Sequence, residues 1–214
     1  MFSEMAKRRR YEMKKRAERR RETRCRIVEA AVELHRARGP ARTTVKEIAE
    51  RAGVNRLTVY NHFPDMADLL GACSRRWTER HPPPDPARWR EIQDPRERLR
   101  AALADLYAYY ERTEPMTANV LRDAEAMPEL AAVLDGTLVP YLGRVRELLA
   151  EGWGGRRRRL LAALALALDF HTWRSLERGS GLSREEAVEV MLEAVQAASR
   201  DPESHSRDAD KPLL

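Results

Sequence analysis

The sequence predicts an all-α fold: an N-terminal three-helix helix-turn-helix domain followed by a larger helical domain. Three observations carry that prediction. Apolar residues recur at i, i+3, i+4 and i+7 through most of the 214 residues, and no segment alternates as a half-buried strand would. Cap residues, Gly and Pro punctuate the periodic segments at helical lengths. Five prolines, at positions 82, 83, 84, 86 and 95, separate a first periodic region from a second, as a connection between domains would. The expected organisation is a basic flexible arm (1–21), a helix-turn-helix domain (22–80), a Pro-rich connection (81–95), a helical domain (96–199) and a disordered tail (200–214).

Residues Lys7 to Arg21 are rich in helix formers but lack an apolar stripe and repel one another, which makes them a mobile or conditionally helical arm. A first helix is expected from Glu22, with Ile27, Ala30, Ala31, Leu34 and Ala37 on one face and a stop at Gly39-Pro40. Thr44 and Glu47 form a capping-box pattern that opens a second helix, whose apolar face is Val45, Ile48, Ala49 and Ala52. Gly53-Val54-Asn55 has the chemistry of a tight interhelical turn. Gly53 admits the left-handed backbone that closes one helix, Val54 plugs the core, and Asn55 caps the next helix. A short third helix, Arg56 to Phe63, ends at Pro64, and Asp65 caps a fourth that carries Leu69, Leu70 and Trp77.

Beyond the prolines, Leu99, Leu103, Leu106 and Tyr110 define a fifth helix and Met116 to Ala126 a sixth. Leu130 to Leu149 gives a seventh, with a kink expected at Pro140. Leu160 to Arg178 is apolar on nearly all sides near its start and is expected to be buried between partners. Ser183 with Glu186 caps a last helix through Ala198. The Arg156–Arg159 run opens a helix where the macrodipole disfavours cations, and reads as a solvated helix start.

The net charge of +6 conceals two different surfaces. Residues 1–80 carry 21 basic and 11 acidic side chains, while the remainder carries 19 and 23. The first part therefore attracts polyanions, and the second needs another purpose. Cys25 and Cys73 are too few for a disulfide framework or a four-ligand zinc site, and their spacing fits no redox motif. His35, His62, His81, His171 and His205 show no metal-binding spacing, so neither metal nor cofactor is expected. The longest apolar run, Leu160 to Leu168, is far shorter than the roughly 20 residues of a membrane span, and no signal-peptide core is present. A soluble cytoplasmic protein that is not an enzyme is the expectation, because no nucleophile triad, phosphate loop or carboxylate pair can be assembled.

The stretch Thr43-Thr44-Val45-Lys46-Glu47-Ile48-Ala49-Glu50-Arg51-Ala52-Gly53-Val54-Asn55-Arg56-Leu57-Thr58-Val59-Tyr60-Asn61-His62-Phe63 resembles the DNA-binding unit of the TetR family of one-component repressors. The Ala-Gly spacing, the Thr-Val-Tyr-Xaa-His-Phe closure, the N-terminal position and the helical remainder coincide, and the likeness is sharp over residues 22–72. Asp169 to Leu176 resembles the family's penultimate helix more weakly. The resemblance implies a homodimer whose heads enter successive major grooves of a palindromic DNA operator. It also implies a C-terminal domain that binds a small-molecule effector and dimerises.

On that reading Thr44, Lys46, Asn55, Arg56, Leu57, Thr58, Tyr60, Asn61 and His62 are the DNA-binding candidates. Arg56 suits a guanine edge, Asn61 an adenine edge, and Leu57 or Tyr60 a thymine methyl. Thr44, Lys46 and His62 match positions from which the family contacts the backbone or nearby bases. At Met66 the family commonly has a Lys, and Asp65-Met66-Ala67-Asp68 offers only carboxylates here, a contact for which the basic arm can substitute. Tyr107, Tyr110, Phe170, His171 and Trp173 are carried as candidates for an effector pocket within residues 96–178, for a small, largely hydrophobic ligand. Leu161, Leu164, Leu168, Val188, Met191, Leu192 and Val195 form an apolar surplus expected to make a two-fold four-helix interface. A competing class is an arginine-rich RNA or membrane-surface adaptor, in which the arm binds and the helical body is an interaction scaffold.

Overall fold

The computed structural model describes the backbone of residues 2–200 and the side chains of residues 11–200; the expected tail beyond Arg200 lies outside the described residues. Among these residues there are eleven α-helices and no strand, so the fold is all-α with an N-terminal helix-turn-helix. The chain divides into two compact units, Met1–Pro82 with Glu114–Gly136, and Pro83–Thr113 with Thr137–Leu214. Glu114–Gly136, assigned from sequence to the C-terminal domain, packs with the N-terminal unit.

In the first unit, α1 runs from Phe2 to Arg38, so the segment expected as a separate arm is a direct extension of the first helix. Once Glu22–Arg38 is packed, each added residue needs only propagation, and Arg, Lys, Glu and Ala support it without an apolar face. Ile27, Ala30 and Ala31 are buried, Leu34 is half-buried, and Ala37, expected on the same face, is exposed.

α2 (Val45–Ala52) opens with the expected capping box: the Glu47 amide donates to Thr44 Oγ1, and the Thr44 amide donates to Glu47 Oε2 at 2.9 Å. Gly53 closes it in the left-handed region at φ 65°, ψ 41°. Asn55 Oδ1 accepts from the Thr58 amide at 2.7 Å and caps α3 (Arg56–His62). Val59, Phe63, Ile48 and Ala49 are all buried, and the small Ala49 lets the two helices close on each other. α4 (Met66–Arg80), capped by Asp65, packs Leu69, Ala72 and Cys73 into the same core.

The end of α6 (Pro95–Ala124) and all of α7 (Pro128–Gly136) complete this unit. Asn119 Nδ2 donates to the carbonyls of His35 and Arg36 at 3.2 and 3.0 Å, and Arg122 Nη2 donates to that of Arg38 at 3.0 Å. Asp123 Oδ2 accepts from the Ala41 amide at 3.0 Å. Carbonyls in the last turn of α1, and the Ala41 amide just beyond it, are therefore met by side chains 82 to 84 residues away. Gly39, at φ 100°, makes this approach possible, since a Cβ there would lie 2.2 Å from Asp123 Oδ2.

His35 is buried at the same junction, and desolvation pulls its pKa down to about 4 against the opposing charge of Asp123. The fold therefore holds a neutral imidazole, while the unfolded chain takes up a proton near the ordinary value. Stability is complete above pH 6.5 and falls as the pH drops toward about 4, by at most about 3 kcal/mol. Denaturant unfolding at pH 7.5 and 4.5 should show that loss in the wild type and a smaller one in His35→Leu. Equal pH dependence in both would contradict this assignment.

In the second unit a four-residue helix, α5 (Ala87–Arg90), stands within the Pro-rich connection. Pro86 stands at its N-cap, where no helical amide is needed. Trp89 anchors it, 2% exposed, its Nε1 donating to Asp105 Oδ2 at 2.9 Å. The fifth and sixth helices expected from sequence are one helix, α6, with Pro115 inside it. The expected seventh is two, α7 in the first unit and α8 (Leu138–Ala150) in the second, broken at Thr137 rather than kinked at Pro140. Pro140 thereby falls in the first turn of α8, where its missing amide costs nothing.

Arg98 holds several chain turns of this unit together. Its guanidinium is buried and donates to the carbonyls of Ile92, Gln93, Leu148 and Glu151, between 2.9 and 3.4 Å away. Arg98→Met should cost on the order of 3 kcal/mol by stripping four carbonyls, one buried and three part-buried, of their donor at once, with Arg98→Lys recovering part of it. A denaturation midpoint unchanged in Arg98→Met would contradict that role.

The segment Leu160–Arg178, expected as one helix, is α9 (Arg157–Ala167) and α10 (Phe170–Arg174), the latter passing into a π-helical turn over Ser175–Gly179. Asp169 breaks it by capping α10, its Oδ2 accepting from the Thr172 amide at 2.8 Å. α9 packs along α11 (Arg184–Ser199), which carries the expected Ser183–Glu186 capping box. That pairing buries Leu164, Leu168, Val188, Met191, Leu192 and Val195 within the chain, and Leu161 is half-buried. The apolar surplus named from sequence is thus covered inside one subunit, and the outward faces of these two helices carry other residues.

Candidate nucleic-acid interface

α3 is short, and one side of it is fixed by the core. Val59 points into the unit at 1% exposure; Leu57 and Asn61 lie about 160° round the helix from it, Tyr60 about 100° and Arg56, in the first turn, about 60°, and all four are exposed. Leu57 and Tyr60 are 66% and 52% exposed, an unusual amount of apolar and aromatic surface for a seven-residue helix to leave in water. The four side chains offer a bidentate cation, an amide, a phenol and an aliphatic group, a set able to read a base edge by hydrogen bonds and methyl contact.

The other candidates divide by what they already do. Thr44 donates from Oγ1 to Glu47 Oε2 at 2.7 Å and accepts from its amide, while Arg38 Nη2 pairs with the same carboxylate at 2.9 Å. Asn55 Oδ1 accepts from both the amide and the hydroxyl of Thr58. These three side chains set the starts of α2 and α3 and so aim the neighbours that face solvent. Lys46 is exposed, with only a 3.8 Å pairing to Glu50. His62 is half-buried, its pKa lowered by desolvation and by the charges of Arg20 and Arg24.

Met66, where a lysine was missed, is half-buried against the unit's core and presents no charge. A residue that sequence reasoning passed over is Arg24. It donates from Nη1 to the His62 carbonyl and lies 3.9 Å from the centroid of the Phe63 ring, tying α1 to the C-terminal end of α3. Nothing in the spacing of residues 24 and 62 announces that pairing.

In the second unit Tyr107, Tyr110, Phe170 and Trp173 are brought together and buried. Tyr110 meets Phe170 edge-on at 5.4 Å, and Trp173 lies 5.8 Å from Tyr110 and 5.3 Å from Phe170. The break after α9 frees the carbonyls of Ala167 and Leu168, and the hydroxyls of Tyr107 and Tyr110 donate to them at 2.9 and 2.7 Å. Burial raises both phenol pKa values, so these hydroxyls stay protonated donors. His171 is exposed and meets the cluster only at its edge, its ring 5.5 Å from that of Phe170 and edge-on to it.

Among the described residues no group of three or more His, Cys, Asp or Glu could hold a metal ion, and no helix is long and apolar enough to cross a membrane.

Residues 27–73 match the family model described as bacterial regulatory proteins, tetR family. The HTH-type transcriptional regulator TtgR of Pseudomonas putida is 47% identical over 60 residues, which are 28% of this chain and 29% of that protein. The chain therefore matches less than a third of that curated relative's length. Among solved structures, a TetR-family transcriptional regulator from Syntrophomonas wolfei superposes with a TM-score of 0.59 at 16% identity, covering 84% of this chain and 95% of that one. The fatty acid degradation regulator FadR from Bacillus halodurans does so with a TM-score of 0.58 at 19% identity, covering 81% and 94%. At these identities the likeness is one of fold.

Proposed function

We propose that this chain, whose residues 27–73 are a DNA-binding head of the tetR family, is a transcriptional repressor that binds a palindromic operator as a homodimer and is released by a small, largely hydrophobic effector. The observation that carries the reading is the exposed quartet of Arg56, Leu57, Tyr60 and Asn61 on a capped α3 that Val59 anchors in the core. Lys46 and His62 flank it as backbone contacts, and Thr44, Asn55 and Thr58 act by holding the reading helix in place. The test is selection of bound duplexes from a random pool. Enrichment of a two-fold symmetric site is expected, and a pool that stays random would overturn the proposal.

Dimerisation is proposed through the outward faces of α9 and α11. Ala162, Ala165 and Leu166 on one, and Val190, Ala194 and Ala197 on the other, are exposed or half-buried at helical spacing, with Leu166 at 55% and Val190 at 43%. Small residues around two larger apolar ones suit close helix packing, and a two-fold contact buries the same stripe twice.

The effector reading is supported by the aromatic cluster of Tyr107, Tyr110, Phe170 and Trp173. A ligand that separates these rings must also disturb the two hydroxyls that cap the α9 break. Any such strain can reach the head through α6, which supplies Tyr107 and Tyr110 to one unit and Asn119, Arg122 and Asp123 to the other. Release of about 5- to 150-fold corresponds to an ordinary coupling between two sites. A lipophilic compound that quenches tryptophan fluorescence and weakens operator binding within that range is the expected result. Quenching with unchanged operator affinity would overturn the effector reading.

A further inference from the structure

A cleft of about 320 Å³ lies between the N-terminal part of α1 and the C-terminal end of α3, lined by Ala17, Arg20, Arg21, Arg24 and His62. The four α1 residues stand at i, i+3, i+4 and i+7, so one helix face supplies three guanidinium groups, and none of the five lining residues is acidic. Arg24 is preorganised, held by the His62 carbonyl and the buried Phe63 ring. His62 feels Arg20 and Arg24 strongly enough that their charges depress its pKa further than burial does alone. The cleft is thus a concentration of positive charge with no carboxylate in its lining, and an oxyanion entering it relieves the repulsion. Planar guanidinium forks match the oxygens of a phosphate. Ala17 contributes only a methyl group to the wall, which leaves the space open.

We infer that this cleft is a preformed site for one phosphodiester of the DNA backbone, seated by Arg20, Arg21, Arg24 and His62 directly after the base-reading residues Tyr60 and Asn61. The inference rests on the reading of α3 as the groove helix, and it extends that reading to α1. The phosphate sets how far α3 advances into the groove, while the bases it meets set the sequence preference.

The test uses the full chain and two substitutions that add the same charge to the same helix. Ala17→Glu places a carboxylate in the cleft, and Tyr11→Glu places one six residues earlier and about 120° round the helix, at a position that does not line the cleft and is 65% exposed. Glu is a good helix former, so both variants should keep their helical content. Against a random-sequence duplex, Ala17→Glu is expected to weaken binding roughly tenfold and to reduce the slope of log affinity against log salt by about 0.9 for each phosphate lost. Tyr11→Glu should weaken it less than about twofold, as a charge on another face about a Debye length away. If Ala17→Glu weakens binding no more than Tyr11→Glu, or leaves the salt slope unchanged, the cleft is not a phosphate site. The ratio of selected-site to random-duplex affinity separates this failure from failure of the α3 reading: Ala17→Glu leaves that ratio in place and Tyr60→Ala lowers it. A ratio unmoved by Tyr60→Ala sinks the α3 reading whatever the cleft does.

Discussion

Replacing Arg56, Tyr60 or Asn61 by Ala is expected to cut the preference for the selected site sharply while leaving the head folded. These side chains are exposed and none packs in the core formed by Ile27, Ile48, Val59, Phe63 and Leu69, so their loss costs little stability. Each base-reading contact is worth about 1–3 kcal/mol, and a two-fold site counts it twice. The preference for the selected site over random duplex should therefore fall roughly 30-fold or more for each variant. Binding titrations of both duplexes, with helical content followed by circular dichroism, measure it. Undiminished preference in all three variants would show that α3 does not read the groove.

Placing Glu at Leu166 or Val190 is expected to give a folded monomer. Both positions are exposed in the single chain and neither contributes to its core, so the charge is tolerated until a second copy closes over it. A monomer must bind each half-site separately and forfeits the second contact's effective concentration, which lowers affinity for the palindrome by roughly 10²- to 10⁴-fold. Light scattering at micromolar concentration and titration of the selected duplex report the two consequences. A variant that remains dimeric would move the interface elsewhere.

The head was legible because its determinants are local. The Thr44–Glu47 box, the left-handed Gly53 and the Asn55 cap each act within four residues, and each stands where the sequence places it. The outward face of α3 followed from the same caps. Determinants that act at long range were not legible. Helical propensity alone did not show that residues 2–21 continue α1, because their sequence carries no apolar stripe to mark a packed face. The joining of the fifth and sixth helices ran against the usual effect of Pro115. Tyr107 and Tyr110 read as lining for a pocket, yet their hydroxyls cap carbonyls nearly 60 residues away, freed by a helix break that only Asp169 hinted at. Arg98 has the same character, a lone cation whose partners are backbone carbonyls and therefore leave no trace in residue type.

The central claim is that α3 reads bases, with the basic α1 extension adding affinity and not preference. A competition titration at one fixed salt concentration tests it most directly, with the selected duplex bound first and random DNA duplex or duplex RNA of equal length as competitors. The account predicts that the selected duplex is held roughly 10³-fold or more above either competitor. Comparable affinity for all three polymers would contradict it, and would identify the chain as an arginine-rich polyanion binder whose helical body serves another purpose.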